Sequence, residues 1–264
     1  MSLIFNGTNI ETIIYNGIAI DKLIYNGVIV YESFPGETIL YYNNNTSSVM
    51  AERVRINKND TTPTYIYCND VLVQTLTESG DITSKTFTIE VGENVVRIVG
   101  GSFYAQYAIL LNGTKMYKAV LGRNFIGPLI GGLSGLNNLT ELVVGPYVTE
   151  IDNIPTAVSS LTLSEGLEKV LQECFYNNTG LEDISIPSTV GTIERNAFKS
   201  CSAKTITINS TNCQFGLNLF ESSISLKDVY IIILQNRQLR LQVVVVEAGV
   251  KHVYLSLLYI FQYQ

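Results

Sequence analysis

Histidine is almost missing: His252 is the only one in 264 residues. A Ser-His-Asp set would have to be built on it, and no G-x-S-x-G elbow occurs, so nucleophilic catalysis has little to work with. Cysteine is scarce and unpatterned. Cys68, Cys174, Cys201 and Cys213 show no C-x-x-C spacing, which removes the usual metal-site signature and leaves buried free thiols as the expectation. There is no basic block or stripe, and the net charge is -6, so a phosphate backbone is repelled and no nucleic-acid partner is expected. The longest apolar run, Val253 to Phe261 with one serine in it, falls far below the ~20 residues of a membrane helix, so no membrane span is expected. The amino terminus, MSLIFNGTNIETIIYNG, has neither a basic n-region nor a continuous apolar h-region and does not read as a secretory signal. GPLIGGLSG contains glycines in neither phosphate-binding order, and Asp60 and Asp81 read as turn residues before calcium ligands. No metal and no cofactor are expected.

What remains is β-forming. Hydrophobic residues make up 46% and charged residues 15%, with Gly, Asn, Thr, Ile, Val and Tyr prominent, which predicts a mainly β chain with little helix. The length predicts two or three units. We place them at residues 1–35, 36–122 and 123–264.

Residues 3–32 divide into three decapeptides, LIFNGTNIET, IIYNGIAIDK and LIYNGVIVYE. Each Asn-Gly pair supplies the positive-φ residues of a two-residue hairpin turn, so the segment reads as a β-meander of short strands. So few residues bury too little to stand alone, which marks an attachment arm. The repeat resembles the YNG segments of bacteriophage tail, baseplate and head-fibre proteins, where they join a protein to the particle. On that resemblance Tyr15, Asn16, Gly17, Tyr25, Asn26 and Gly27 are arm residues that engage other virion proteins.

Between residues 36 and 122, alternating runs such as Thr38–Tyr42, Arg53–Ile56, Thr64–Cys68, Val71–Leu76, Lys85–Glu90 and Asn94–Val99 are separated by turn residues. Six or more short strands at that spacing predict an antiparallel sandwich of immunoglobulin or jelly-roll type. TFTIEVGENVVRIVGG predicts a hairpin across Gly-Glu-Asn, and Tyr104 to Tyr117 a further hairpin about Asn112-Gly113.

The last half repeats. Val144, Leu163, Ile186 and Ile208 end successive strands spaced 19, 23 and 22 residues apart, followed at fixed offsets by apolar residues and by Cys174-Phe175, Ala197-Phe198 and Leu219-Phe220. That period is the mark of a leucine-rich solenoid. Leu226–Ile231 and Val250–Leu255 echo one another 24 residues apart, which extends the array to six strands with an irregular fifth turn. LEDISIPSTVGTIERNAFKSCS resembles the BspA-like class of bacterial surface repeats, which implies a stacked core position for Cys201, a role in adhesion or surface recognition, and no catalytic residues.

Strand alternation turns Glu141, Val143, Ser160, Thr162, Asp183, Ser185, Thr205, Thr207, Asp228, Tyr230, His252 and Tyr254 outward on one face. The candidate ligand-binding residues are Asp183, Ser185, Thr207, Asp228, Tyr230, His252 and Tyr254. Tyr230 and Tyr254 fall at equivalent positions and are expected to stack as a platform for sugar rings. Glu141, Asp183 and Asp228 sit on neighbouring turns but read as solvated charges, not as a glycosidase pair. The expectation is a non-enzymatic virion protein, likewise a homo-oligomer, displaying its repeats toward a host-surface glycan or protein. A bacterial surface adhesin and a purely structural virion decoration are the alternatives.

Overall fold

The computed structural model describes residues 36–58, 60–77, 80–106, 110–111, 115–133, 135–235, 238–245 and 254–257, with six short strands among residues 3–32. Every regular element described is a strand. The first six form three separate two-stranded sheets: Leu3–Phe5 with Thr8–Ile10, Ile13–Tyr15 with Ile18–Ile20, and Lys22–Tyr25 with Val28–Glu32. Tyr15 pairs with Ile18 and Tyr25 with Val28, so two residues connect each pair. Those residues, Asn16, Gly17, Asn26 and Gly27, lie outside the described residues.

The body has two main sheets. In the front sheet the order is Val71–Leu76, Thr64–Cys68, Gly92–Gly100, Thr38–Asn44, Met116–Val120, Glu141–Val144, Ser160–Leu163. In the back sheet it is Gly80–Ile89, Met50–Lys58, Phe103–Gln106, Phe125–Ile130, Val148–Ile151, Lys169–Val170, Thr192–Ile193, Gln214–Phe215, with Leu110–Leu111 also on Met50–Lys58. Alternation decides which side is buried. In Thr38–Asn44 every second residue is inside, and Leu40 and Tyr42 meet Ile56, Phe87 and Ile89 in one apolar core.

Each sheet begins antiparallel and becomes parallel without a break. Met116–Val120 pairs antiparallel with Thr38–Asn44 on one side and parallel with Glu141–Val144 on the other. Phe103–Gln106 makes the same transition in the back sheet, antiparallel to Met50–Lys58 and parallel to Phe125–Ile130, which is parallel in turn to Val148–Ile151. The sandwich therefore caps the first coil of the solenoid, and the core runs continuously from Leu40 to Val229.

Two expected hairpins are not formed. Gly80–Ile89 and Gly92–Gly100 lie in opposite sheets, because each has one buried face and those faces look at each other across the core. Asn94 ties the crossing: its amide donates to Glu90 O at 2.8 Å and Gly92 O at 2.9 Å, and its carbonyl accepts from Glu90 N at 2.9 Å. Leu110–Leu111 pairs with the back sheet while Met116–Val120 joins the front one, so these two strands do not pair with each other; Asn112 and Gly113 lie outside the described residues. Asn69-Asp70 does make a tight turn, with positive φ at both residues (49° and 63°), between Thr64–Cys68 and Val71–Leu76.

Along the solenoid, front strands Glu141–Val144, Ser160–Leu163, Asp183–Ile186, Thr205–Ile208 and Asp228–Gln235 alternate in the chain with back strands. Asp183–Ile186, Thr205–Ile208 and Asp228–Gln235 pair in parallel within a second, five-stranded front sheet. The remaining side of each coil turns on left-handed residues at Glu173 and Asn177, Asn196 and Ser200, Asn218 and Ser222. Those turns let Phe175 N donate to Ala197 O at 2.7 Å and Phe198 N to Leu219 O at 3.0 Å. Phe175, Phe198 and Phe220 stack face to face, at 5.1 and 5.6 Å between centroids.

The carboxy-terminal end departs from the expected coil. Gln238–Val245 runs antiparallel to Asp228–Gln235, and Tyr254–Leu257 antiparallel to Gln238–Val245. Cys201 is buried as expected, as are Cys68 and Cys174, whereas Cys213 is only half-buried; all four are free.

Candidate functional site: the front face

Two parallel rows run up the solenoid front. One holds Asp183, Thr205 and Asp228 in direct register, and the other Ser185, Thr207 and Tyr230. On the adjoining coils Glu141 is opposite Ser160 and Val143 opposite Thr162. Their spacing follows from the ladder: about 4.8 Å per coil, with the intervening residue of each strand (Ile184, Ile206, Val229) turned into the core. Asp183 and Ser185 are exposed; Thr207, Asp228 and Tyr230 are half-buried. Asn209 stiffens the edge, its amide donating to Ser185 Oγ at 3.2 Å and Ile186 O at 2.9 Å. Lys204 pairs with Glu182 at 2.8 Å beside the strand starts.

Five of the seven candidate residues are therefore brought together. Tyr254 is not beside Tyr230: it pairs with Val245, which pairs with Asp228, so two strand spacings and a different row separate the tyrosines. The expected aromatic stack on consecutive coils is replaced by the antiparallel strand Gln238–Val245. His252 lies outside the described residues. Asp183 and Asp228 are held two rungs apart with Thr205 between them.

The face continues onto the sandwich, where further residues join it. One outward row crosses Leu72, Tyr67, Arg97, Ile39, Val120, Val143 and Thr162. In the next, Tyr41, Lys118, Glu141 and Ser160 are in register. Arg97 lies 5.3 Å above the Tyr67 ring and binds Asp70 at 2.8 Å and Glu37 at 3.2 Å. Hydrogen bonding to Asp70, with Glu37 nearby, raises the guanidinium pKa further. Lys118 sits over Tyr41 at 5.3 Å and pairs with Glu141 at 2.7 Å. Tyr117 lies 6.3 Å from Tyr41 and donates its hydroxyl to Glu93 at 2.9 Å; desolvation first, then that bond, raises its pKa. The signal for these tyrosines was present in the alternation of Leu40-Tyr41-Tyr42 and Tyr65-Ile66-Tyr67, which turns Tyr41, Tyr65 and Tyr67 away from the core.

The back ladder ends differently. Gln214–Phe215 is its edge strand, and Phe215, Leu217 and Ile224 are 45%, 74% and 81% exposed. Among the described residues no group of three or more His, Cys, Asp or Glu side chains is placed to hold a metal ion. Among the same residues no helix is long and apolar enough to cross a membrane.

The architecture defines a β-solenoid of the leucine-rich type, built onto a sandwich. Residues 135–237 match the BspA type Leucine rich repeat region, in six copies. No curated protein and no solved structure matches the chain.

Proposed function

We propose that this is a non-enzymatic virion protein of a bacteriophage that presents its front face to a host-surface glycan or protein, with residues 1–35 joining it to other virion proteins. The observation that carries the recognition half is the register of Asp183, Ser185, Thr205, Thr207, Asp228 and Tyr230 as a regular polar array on a stacked backbone. Such an array is pre-organised, so a ligand meets it with little ordering cost. The attachment half is supported by the three lone hairpins, each too small to be stable without a neighbour.

The test is adhesion of the purified protein to a bacterial panel and a glycan array, with Ser185→Lys and Thr207→Lys on the front and Thr192→Lys on the back. Front variants are expected to lose binding at least about tenfold, while the back variant keeps it. Equal binding by all three sinks the recognition half. Deleting residues 1–32 is expected to leave a folded protein that no longer joins its particle. The BspA-type match supports a second reading, a bacterial cell-surface adhesin, which predicts the protein on the cell envelope and not on particles.

A further inference from the structure

One buried group outside the binding face has no hydrogen-bond partner among the described residues. Glu52, on Met50–Lys58 opposite Phe87, is 1% exposed, and neither carboxylate oxygen has a hydrogen-bond partner among the described residues. From the other sheet, fully buried Tyr42 also has no hydrogen-bond partner for its hydroxyl among the described residues, and its ring meets Phe87 edge-on at 5.9 Å. Among the described residues, the other titratable groups around this pair are Cys68, close to Tyr42, and Lys115, at the corner before Met116–Val120. The Lys115 ammonium donates to Asn45 Oδ1 at 2.6 Å and makes no ion pair with Glu52 among the described contacts.

An ionised carboxylate held away from water with no partner costs several kcal/mol, and the group avoids that by keeping a proton or by leaving the core. Burial pushes the Glu52 carboxyl up to about 7, with Lys115 pulling it down. We propose that Glu52 is a proton-operated latch between the two sheets of the sandwich. With its proton it stays in the core against Tyr42. When the proton passes to solvent, the carboxylate turns out toward Lys115 and loosens the 45–49 connection that joins Thr38–Asn44 to Met50–Lys58.

Because the folded carboxyl's pKa lies above its ordinary 4.5, its contribution to stability is complete below that value and is lost as pH rises through about 7. The experiment is urea unfolding of the full chain from pH 5 to pH 8, with Glu52→Gln and Lys115→Met beside the wild type. The wild-type folded-to-unfolded ratio is expected to fall on the order of 100-fold across that range, and Glu52→Gln to remove most of the fall. Asp152, also raised by its burial, contributes equally to both proteins and cancels. Lys115→Met is expected to move the fall to higher pH, which keeps the test open should Glu52→Gln not fold. Amide exchange of residues 42–52, corrected for its intrinsic pH dependence, is expected to quicken at pH 8 in the wild type. The same pH dependence with and without the Glu52 carboxyl, or a Lys115→Met midpoint that stays in place, would overturn the latch.

Discussion

Phe198 lies between Phe175 and Phe220, nearly parallel to both (8° and 15°), and has no exposed surface. Removing its ring leaves a cavity that two coils border at once, and their backbones are hydrogen-bonded and unable to close it. Phe198→Ala is expected to cost about 3–5 kcal/mol in urea unfolding. Asp60 acts at the surface of the sandwich. Its carboxylate accepts from Ser102 Oγ at 2.6 Å and Ser102 N at 3.0 Å, and from Thr62 N at 2.9 Å, beside the buried Lys58. The Ser102 hydroxyl first, then the Ser102 amide, holds its pKa down to about 2 from 3.8. The stabilisation is thus present above 3.8 and lost as pH falls through about 2. Asp60→Asn is expected to lower the melting temperature at pH 7, with the gap from wild type closing as the pH falls toward 2.

At the scale of elements, the coils depend on close backbone approach. Gly166 has φ +117°, and a Cβ there would run into Pro146 O. Gly166→Ala combines that clash with strain and is expected to cost about 1–3 kcal/mol, read as an earlier unfolding midpoint with unchanged circular dichroism. The elements also show which signals a sequence carries. The registers of Asp183–Ile186, Thr205–Ile208 and Asp228–Gln235 were legible because parallel coils repeat the same local pattern at each turn, and the pattern fixes the row. Direction and sheet membership were not. Phe87 and Ile89 announce a buried face, as do Val96 and Ile98, but alternation is identical whether the strands pair side by side or face one another across a core. Likewise LKDVYI and VKHVYL share a pattern, and nothing local records that Gln238–Val245 runs backward between them. Tyr230 remains in the candidate site for the first reason, and Tyr254 is displaced from it for the second.

On the scale of the whole molecule, the sandwich and the solenoid share both sheets and one core. The first coil, Met116–Val120 and Phe125–Ile130, is hydrogen-bonded to Thr38–Asn44 and Phe103–Gln106. Residues 123–264 expressed alone would present the uncovered sides of Phe125–Ile130 and Glu141–Val144 as open edges, a state prone to association. That fragment is expected to aggregate on light scattering, whereas residues 36–264 are expected to stay dispersed and melt in a single calorimetric transition. The unbroken passage from antiparallel to parallel pairing has a consequence for how such a molecule changes over generations. Because the sandwich sets the first rung for both ladders, whole coils of 22 or 23 residues can be gained or lost beyond it without disturbing the cap. Each such event moves the far tip by about 4.8 Å, so the length of the solenoid is adjustable in fixed increments while the sandwich at its base stays the same.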